Sequence, residues 1–340
     1  MFRRSLLQLA FLCVVLGSTA NAQLLNGPTN PALKTQPPPN DGDGLNVPPE
    51  AVEKIPRQTA ILVKGAEPSA SDRSTPLPED GALSKNVYQN RYFGITYRLP
   101  AVWAEPFSGP PPTDSGLYVL AQLTPDAGAK SPLKGTVLIT AQDMFFSLTP
   151  THSALDLVNF SRKHLPDYYE VERAPAELKI AGHDFVRFDY KSPVAGLHWY
   201  VLATQIRCHA IQFVFTSQDT KLLDSMIQDM NRIQLPDDAS APDCVSNYAT
   251  AANIVYKVDP VIADQRFNQI PVRIIIDKKG KVRHVHLLSA FPDQAAAITD
   301  ALMQWTFAPR MRDGKAVEVE TGIMFRSRAS ETPRSVTTND

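Results

Sequence analysis

Apolar and polar positions change rhythm along this chain, and the changes divide it into stretches. In residues 209–216, Ile211, Phe213 and Phe215 recur at every second position, which is how a half-buried strand is written. Similar runs predict strands over 135–142, 185–190 and 199–205. The aromatic run Tyr92, Phe93, Tyr97 and Leu99, broken by Pro100 with Trp103 close behind, predicts the first strand of the same sheet over residues 92–100. Two stretches have helical spacing instead. Leu155, Val158, Phe160 and Leu165 predict a helix that starts near Thr151 and stops before Pro166. Leu222, Leu223, Met226, Met230 and Ile233 form the apolar stripe of a second, capped by Thr216 or Ser217. Residues 86–236 therefore read as an antiparallel sheet with helices packed on it.

The rhythm resumes over residues 246–328. Val272, Arg273, Ile274, Ile275, Ile276 and Asp277 predict a strand, Lys278, Lys279, Gly280 and Lys281 a turn whose glycine takes a positive φ, and 282–289 the returning strand. Pro292 or Asp293 opens a helix in which Ile298, Ala301, Leu302 and Trp305 share one face. After Pro309 and a turn at Asp313, Gly314 and Lys315 comes a last strand. Its alternation puts Val317, Val319, Ile323 and Phe325 inside and Glu318 and Glu320 in solvent. The order is β-β-α-β, and the fold class is α+β in two domains.

Composition adds the rest of the organisation. At 340 residues a single core is unexpected. Much of the proline lies before residue 80, as in Pro37, Pro38, Pro39, Pro48 and Pro49, so residues 23–85 are expected to be a disordered tether in which Ala60, Ile61, Leu62 and Val63 form at most a stray strand. Residues 329–340 read as a disordered tail. Arg3 and Arg4, an apolar run over 6–16 and Ala20-Asn21-Ala22 predict a signal peptide over 1–22, cleaved after Ala22, with an uncleaved membrane anchor as the alternative. The expected location is the periplasm, or the inner membrane if the anchor is kept. A net charge of −1 leaves no basic surplus for nucleic acid.

No nucleophile elbow, phosphate loop, dinucleotide fingerprint or zinc motif is present, so no catalytic residue, metal ligand or cofactor is assigned and no enzyme is expected. His284 and His286 are two residues apart on one strand face without a third ligand, and read as exposed strand residues. His198 and His209 flank a hairpin across which they could face one another; Asp184, Asp189 and Glu172 suggest no acid–base pair. Cys208, near a hairpin turn, and Cys244, in the linker before the last domain, are both expected to be accessible. They form either a disulfide or two free thiols.

Four motifs in register carry a family resemblance. They are Ile276-Asp277-x-x-Gly280-x-Val282, Val285-x-Leu287-Leu288-Ser289-Ala290-x-Pro292, Ala301-Leu302-x-x-Trp305-x-Phe307-x-Pro309, and Asp313-Gly314-Lys315-x-Val317. This run resembles the C-terminal domain of the TonB family. Residues 86–236, from the aromatic-Gly-aromatic-Leu-Pro entry to the Phe215-Thr216-Ser217 turn, resemble the PsbP and DcrB type of α/β sandwich. The TonB resemblance implies a periplasmic protein that binds an envelope partner, such as a segment of an outer-membrane receptor, by strand addition. Carried over, the partner-binding strand is Val317, Glu318, Val319, Glu320, Thr321, Gly322, Ile323, Met324 and Phe325. The family's Tyr-Pro pair upstream of the first strand is represented here by Pro260 without an adjacent tyrosine, and the run over 6–16 holds no histidine or acidic residue. The expected function is therefore that of an exported, non-enzymatic binding protein. The alternatives are a membrane-anchored energy transducer for outer-membrane transport, and a ligand-binding or assembly protein acting through the PsbP-like part.

Overall fold

The computed structural model describes residues 62–99, 103–107, 109–125, 134–149, 151–236, 241–262 and 268–326. The expectations for the signal peptide, for the first part of the tether and for the tail fall outside these residues.

Strands β1 (Gly81–Ser84), β2 (Val87–Asn90) and β3 (Ile95–Arg98) form a small antiparallel sheet. The strand expected over 92–100 is shorter and lies in this sheet rather than the main one. Residues 91–94 turn instead, because Asn90 Oδ1 accepts the Phe93 N–H at 3.0 Å and Gly94 takes a φ of 62°. That turn buries Tyr92 and Phe93 together, which a strand could not do on one face.

Next come β4 (Trp103–Phe107), β5 (Leu117–Pro125), β6 (Gly135–Asp143), α1 (Ala154–Lys163), β7 (Glu170–Ile180), β8 (His183–Ser192), β9 (Leu197–Ile206), β10 (His209–Ser217) and α2 (Thr220–Asp229). Strands β4 to β10 pair antiparallel in the order β4-β5-β6-β10-β9-β8-β7. Ile211, Phe213 and Phe215 do share one face, and they enter one core with Leu222, Leu223 and Met226 of α2. Trp199, Val201 and Ala203 of β9 pack on the opposite face with Ala154 and Val158 of α1. Central strands are thus apolar on both sides, and each large side chain so buried contributes about 1.5 to 3 kcal/mol. The cap of α2 is Asp219 rather than Thr216 or Ser217, its carboxylate accepting from the N–H groups of Lys221 and Leu222. Ser217 is still the last residue of β10, where its hydroxyl donates to the Lys134 carbonyl at 2.6 Å.

The remaining elements are β11 (Asp243–Cys244), β12 (Ile254–Tyr256), β13 (Gln269–Ile276), β14 (Val282–Leu287), α3 (Pro292–Leu302), β15 (Thr306–Phe307), β16 (Arg310–Arg312), β17 (Lys315–Val317) and β18 (Val319–Arg326). A four-stranded sheet runs β11-β18-β13-β14, with β11 parallel to β18 and the other pairs antiparallel. Gly280 closes the β13–β14 turn at φ 80°, and a side chain there would strike the Phe307 carbonyl. Ile298, Leu302 and Trp305 lie against Val272, Ile274 and Val285, and Trp305 Nε1 donates to the Val258 carbonyl at 2.7 Å. The last strand, expected to be continuous from Ala316, is interrupted at Glu318, because β17 folds back on β16 as a hairpin. The class is α+β, rich in antiparallel sheet with few helices.

Residues 62–85 were expected to belong to a tether, yet they pack on the fold. Val63 pairs with Ala290, the Ser71 N–H donates to the Val285 carbonyl at 2.8 Å, and residues 81–84 are β1. Leu77 is buried there, and the bonds to β14 satisfy backbone groups that an edge strand leaves open.

Candidate functional site

Strand β18 has two faces and two edges. Val319, Ile323 and Phe325 face the core under α3, whereas Met324 packs against the core of the seven-stranded sheet. Glu320 lies on that second face and is 2% exposed, which corrects the expectation that it stands in solvent. Glu318 meets Arg283 through two contacts of 3.0 Å.

Glu320 is buried because cations meet it there. Arg273 of β13 approaches its Oε1 at 2.9 Å, Arg207 from the β9–β10 turn approaches Oε2 at 2.6 Å, and the Tyr92 hydroxyl donates to Oε1 at 2.5 Å. Arg273 also donates to Asp143 at the end of β6, whose other oxygen accepts the Phe145 N–H at 2.8 Å. The cluster holds two guanidinium groups against two carboxylates, so its formal charge balances. Burial works to raise the Glu320 carboxyl, but Arg273 and Arg207 outweigh it and bring it down to about 2. The Arg207 guanidinium lies 4.0 Å from the centre of the Tyr92 ring.

His209 completes the cluster. It is fully buried among Tyr92, Phe93 and Tyr118, with its Nε2 3.8 Å from Asp143 Oδ2. Burial, then the positive fields of Arg273 and Arg207, push its pKa well below the usual histidine value, so the ring is neutral. His198 does not face it: His209 pairs with Ile206 at one end of the β9–β10 hairpin and His198 with Ser217 at the other. His198 instead contacts Glu172 at 2.8 Å.

His284 and His286 are buried, not exposed. They share the face of Arg273, and the chain before β1 covers them. His284 Nδ1 meets Asp72 at 2.7 Å and His286 Nε2 meets Glu79 at 3.2 Å. Burial works to raise the Asp72 carboxyl, but the Thr75 N–H and His284 outweigh it and hold it well below the usual carboxylate range. Burial also lowers the His284 pKa. Among the described residues no cluster of three or more His, Cys, Asp or Glu is arranged to hold a metal ion.

Cys208 and Cys244 form a disulfide across 36 positions, with Cys208 buried rather than accessible because it closes the β9–β10 hairpin against this cluster. The bridge fixes β11 beside β18. There the Asp243 and Val245 N–H groups donate to the Glu318 and Glu320 carbonyls at 2.7 and 3.1 Å. These bonds show which residues of β18 turn their backbone outward. The opposite pair Pro271 and Met324 agrees, since Pro271 has no N–H and gives its carbonyl to Leu288 on the β14 side. Glu318, Glu320, Gly322 and Met324 therefore point away from β13. Strand β11 covers the first two, and among the described residues no strand covers Gly322 or Met324.

Arg273, Asp143, Arg207 and Tyr92 are far apart in sequence, and their neighbours do not mark them as members of one site. One signal was present, a lone arginine inside an otherwise apolar strand, Val272-Arg273-Ile274-Ile275-Ile276. Such a residue is buried only with counter-charges. No protein-family model matches this chain, and no curated protein matches it either. No helix among the described residues is long and apolar enough to cross a membrane.

Proposed function

We propose that this chain is an exported, non-enzymatic protein of the TonB family that binds a cell-envelope partner by strand addition to β18. On this reading residues 246–328 are a TonB-like domain, residues 86–236 are a PsbP-like sandwich, and the mature protein works in the periplasm. The observation that carries it is the outward backbone of Gly322 and Met324, paired by no strand among the described residues, on a strand whose inner edge is fully laddered to β13. An extended partner segment gains its main-chain hydrogen bonds at such an edge and its selectivity from nearby side chains. The four motifs in register supply the family half of the argument. The disulfide supports an oxidising compartment.

The test uses the direction of each N–H. Met324→Pro removes an outward donor and leaves the β13 ladder intact, Ile323→Pro breaks the ladder, and Met324→Leu keeps both donor and bulk. A photo-crosslinker placed at Arg326, the last residue of β18, in the intact envelope is expected to capture a defined partner with Met324→Leu and to lose it with Met324→Pro while the fold persists. Capture unaffected by Met324→Pro, or no capture at all, overturns strand addition at this edge.

A further inference from the structure

A cavity of about 230 Å³ lies between the segment before β1 and strands β1, β4 and β5, away from the β18 edge. Its polar wall is made by Glu79, Glu105 and Tyr118, and its apolar wall by Pro110, Pro111, Val119 and Leu120. Gly81 and Gly109 line it as well, and a side-chain carbon at either would strike protein, the Tyr88 hydroxyl at Gly81 and the Val119 carbonyl at Gly109, so both glycines let the walls pack closely. Two of these polar side chains, Tyr118 and Glu79, are unsatisfied. The Tyr118 side chain is 1% exposed, and its hydroxyl has no hydrogen-bond partner among the described residues. Both Glu79 carboxylate oxygens are shielded and lack one, although the side chain as a whole is 17% exposed; Oε1 is 3.2 Å from His286 Nε2 but without hydrogen-bond geometry. Burial raises the Glu105 carboxyl, and burial followed by the negative charge of Glu79 raises the Tyr118 phenol. Buried acceptors without donors are costly to keep, and a native fold rarely gathers them around a space unless a donor enters it.

We propose that this cavity binds a small alkylammonium ion, its N–H donors shared by Glu79, Glu105 and Tyr118 and its alkyl chain lying against Pro110, Pro111, Val119 and Leu120. An ammonium group offers three donors to these three side chains. The volume is below that of pockets that take drug-sized ligands, which limits the guest to a few carbon atoms. A hard divalent cation asks for six or more oxygen ligands, more than these two carboxylates and one phenol offer.

Calorimetry on the full chain tests this with n-butylammonium as the probe, and with butyrate, n-butanol and calcium as comparisons. Saturable binding of n-butylammonium alone is expected. Glu105→Gln and Tyr118→Phe should each weaken it by roughly tenfold or more, since each removes a bond to a charged group. Both variants change few atoms, and their unfolding midpoints separate lost binding from lost fold. The proposal is overturned by no saturable heat with n-butylammonium, by equal binding of n-butanol, by binding of calcium in its place, or by unchanged affinity in folded Glu105→Gln.

Discussion

The guanidinium of Arg273 meets the carboxylate of Glu320 at 2.9 Å, with both side chains 2% exposed. Their strands are neighbours, but the charges face out of their own sheet toward Asp143 and Arg207 of the other one. The contact between the two sheets is therefore built on ionic pairs, and a pair of this kind fixes position more than it adds stability. Removing one member strands the others. Glu320→Gln or Arg273→Met is expected to cost about 3 to 5 kcal/mol in urea unfolding. A loss below about 1 kcal/mol would mean that water reaches the cluster and screens it.

His209 gives the same interface a pH response. Its folded pKa lies well below the ordinary value of 6.5, because the ring is buried and Arg273, Arg207 and His286 face it, with the Asp143 carboxylate 3.8 Å from Nε2. A depressed folded value means that the unfolded chain binds the proton first. The stabilisation is fully present above about pH 6.5 and is lost as pH falls toward the folded value, at up to about 1.4 kcal/mol per pH unit. Glu320 adds a separate loss between its ordinary 4.5 and about 2, also on acidification, while the raised Asp143 carboxyl works in the opposite direction. His209→Phe keeps the aromatic contacts and removes the titration. It should flatten the fall in stability between pH 7 and 5, with His284 leaving a residual slope. A variant as acid-sensitive as the wild type would show that other groups carry the response.

The Cys208–Cys244 bridge ties the β9–β10 turn to β11 and closes 36 positions of chain. Constraint of the unfolded state then contributes about 3 to 4 kcal/mol. Replacing both cysteines with alanine should lower stability by about that amount under oxidising conditions. It should also speed amide exchange at Val245, whose N–H is held by Glu320, more than at β13. Equal exchange at both places would show that β11 stays docked without the bridge.

Strands and helices were legible wherever one face is apolar and the other is not, as in residues 209–217 and in α2. The β13–β14 turn was legible too, because Asp277 and Gly280 are turn residues with a local reason to be there. What escaped was decided by distant partners. Glu320 reads as a solvent position from its neighbours in sequence, and only Arg273, 47 residues away, and Arg207 make it an interior one. His284 and His286 read as exposed for the same reason, since Asp72 and Glu79 arrive from the far end of the chain. Strand β7 was not anticipated because it is exposed along most of its length and shows no alternation. The proline-rich composition before residue 80 obscured a segment that gains its structure by pairing on β14.

Gly322 shows how closely the sheets approach. It sits on β18 beside Glu320, and a Cβ there would fall 2.8 Å from Phe145 Cβ and 2.9 Å from Phe146 Cζ. Its backbone has no positive φ, so contact with the neighbouring sheet, rather than local strain, is what excludes a side chain. Gly322→Ala should cost about 1 to 3 kcal/mol by forcing those rings apart. Phe145→Ala alone should also destabilise, because Phe145 packs against the main core and its ring lies 4.8 Å from the Arg273 guanidinium. Combined, the two changes should cost less than their sum, since Phe145→Ala removes the ring carbon Cδ2 that the new methyl would meet at 3.1 Å, while the closer Phe145 Cβ stays in place. A coupling of about 0.5 kcal/mol or more in urea unfolding would support direct contact between β18 and the β6–α1 segment. Strict additivity would mean that the two sheets do not meet at Gly322 in solution, and that the ionic cluster beside it is more open to water than its burial implies.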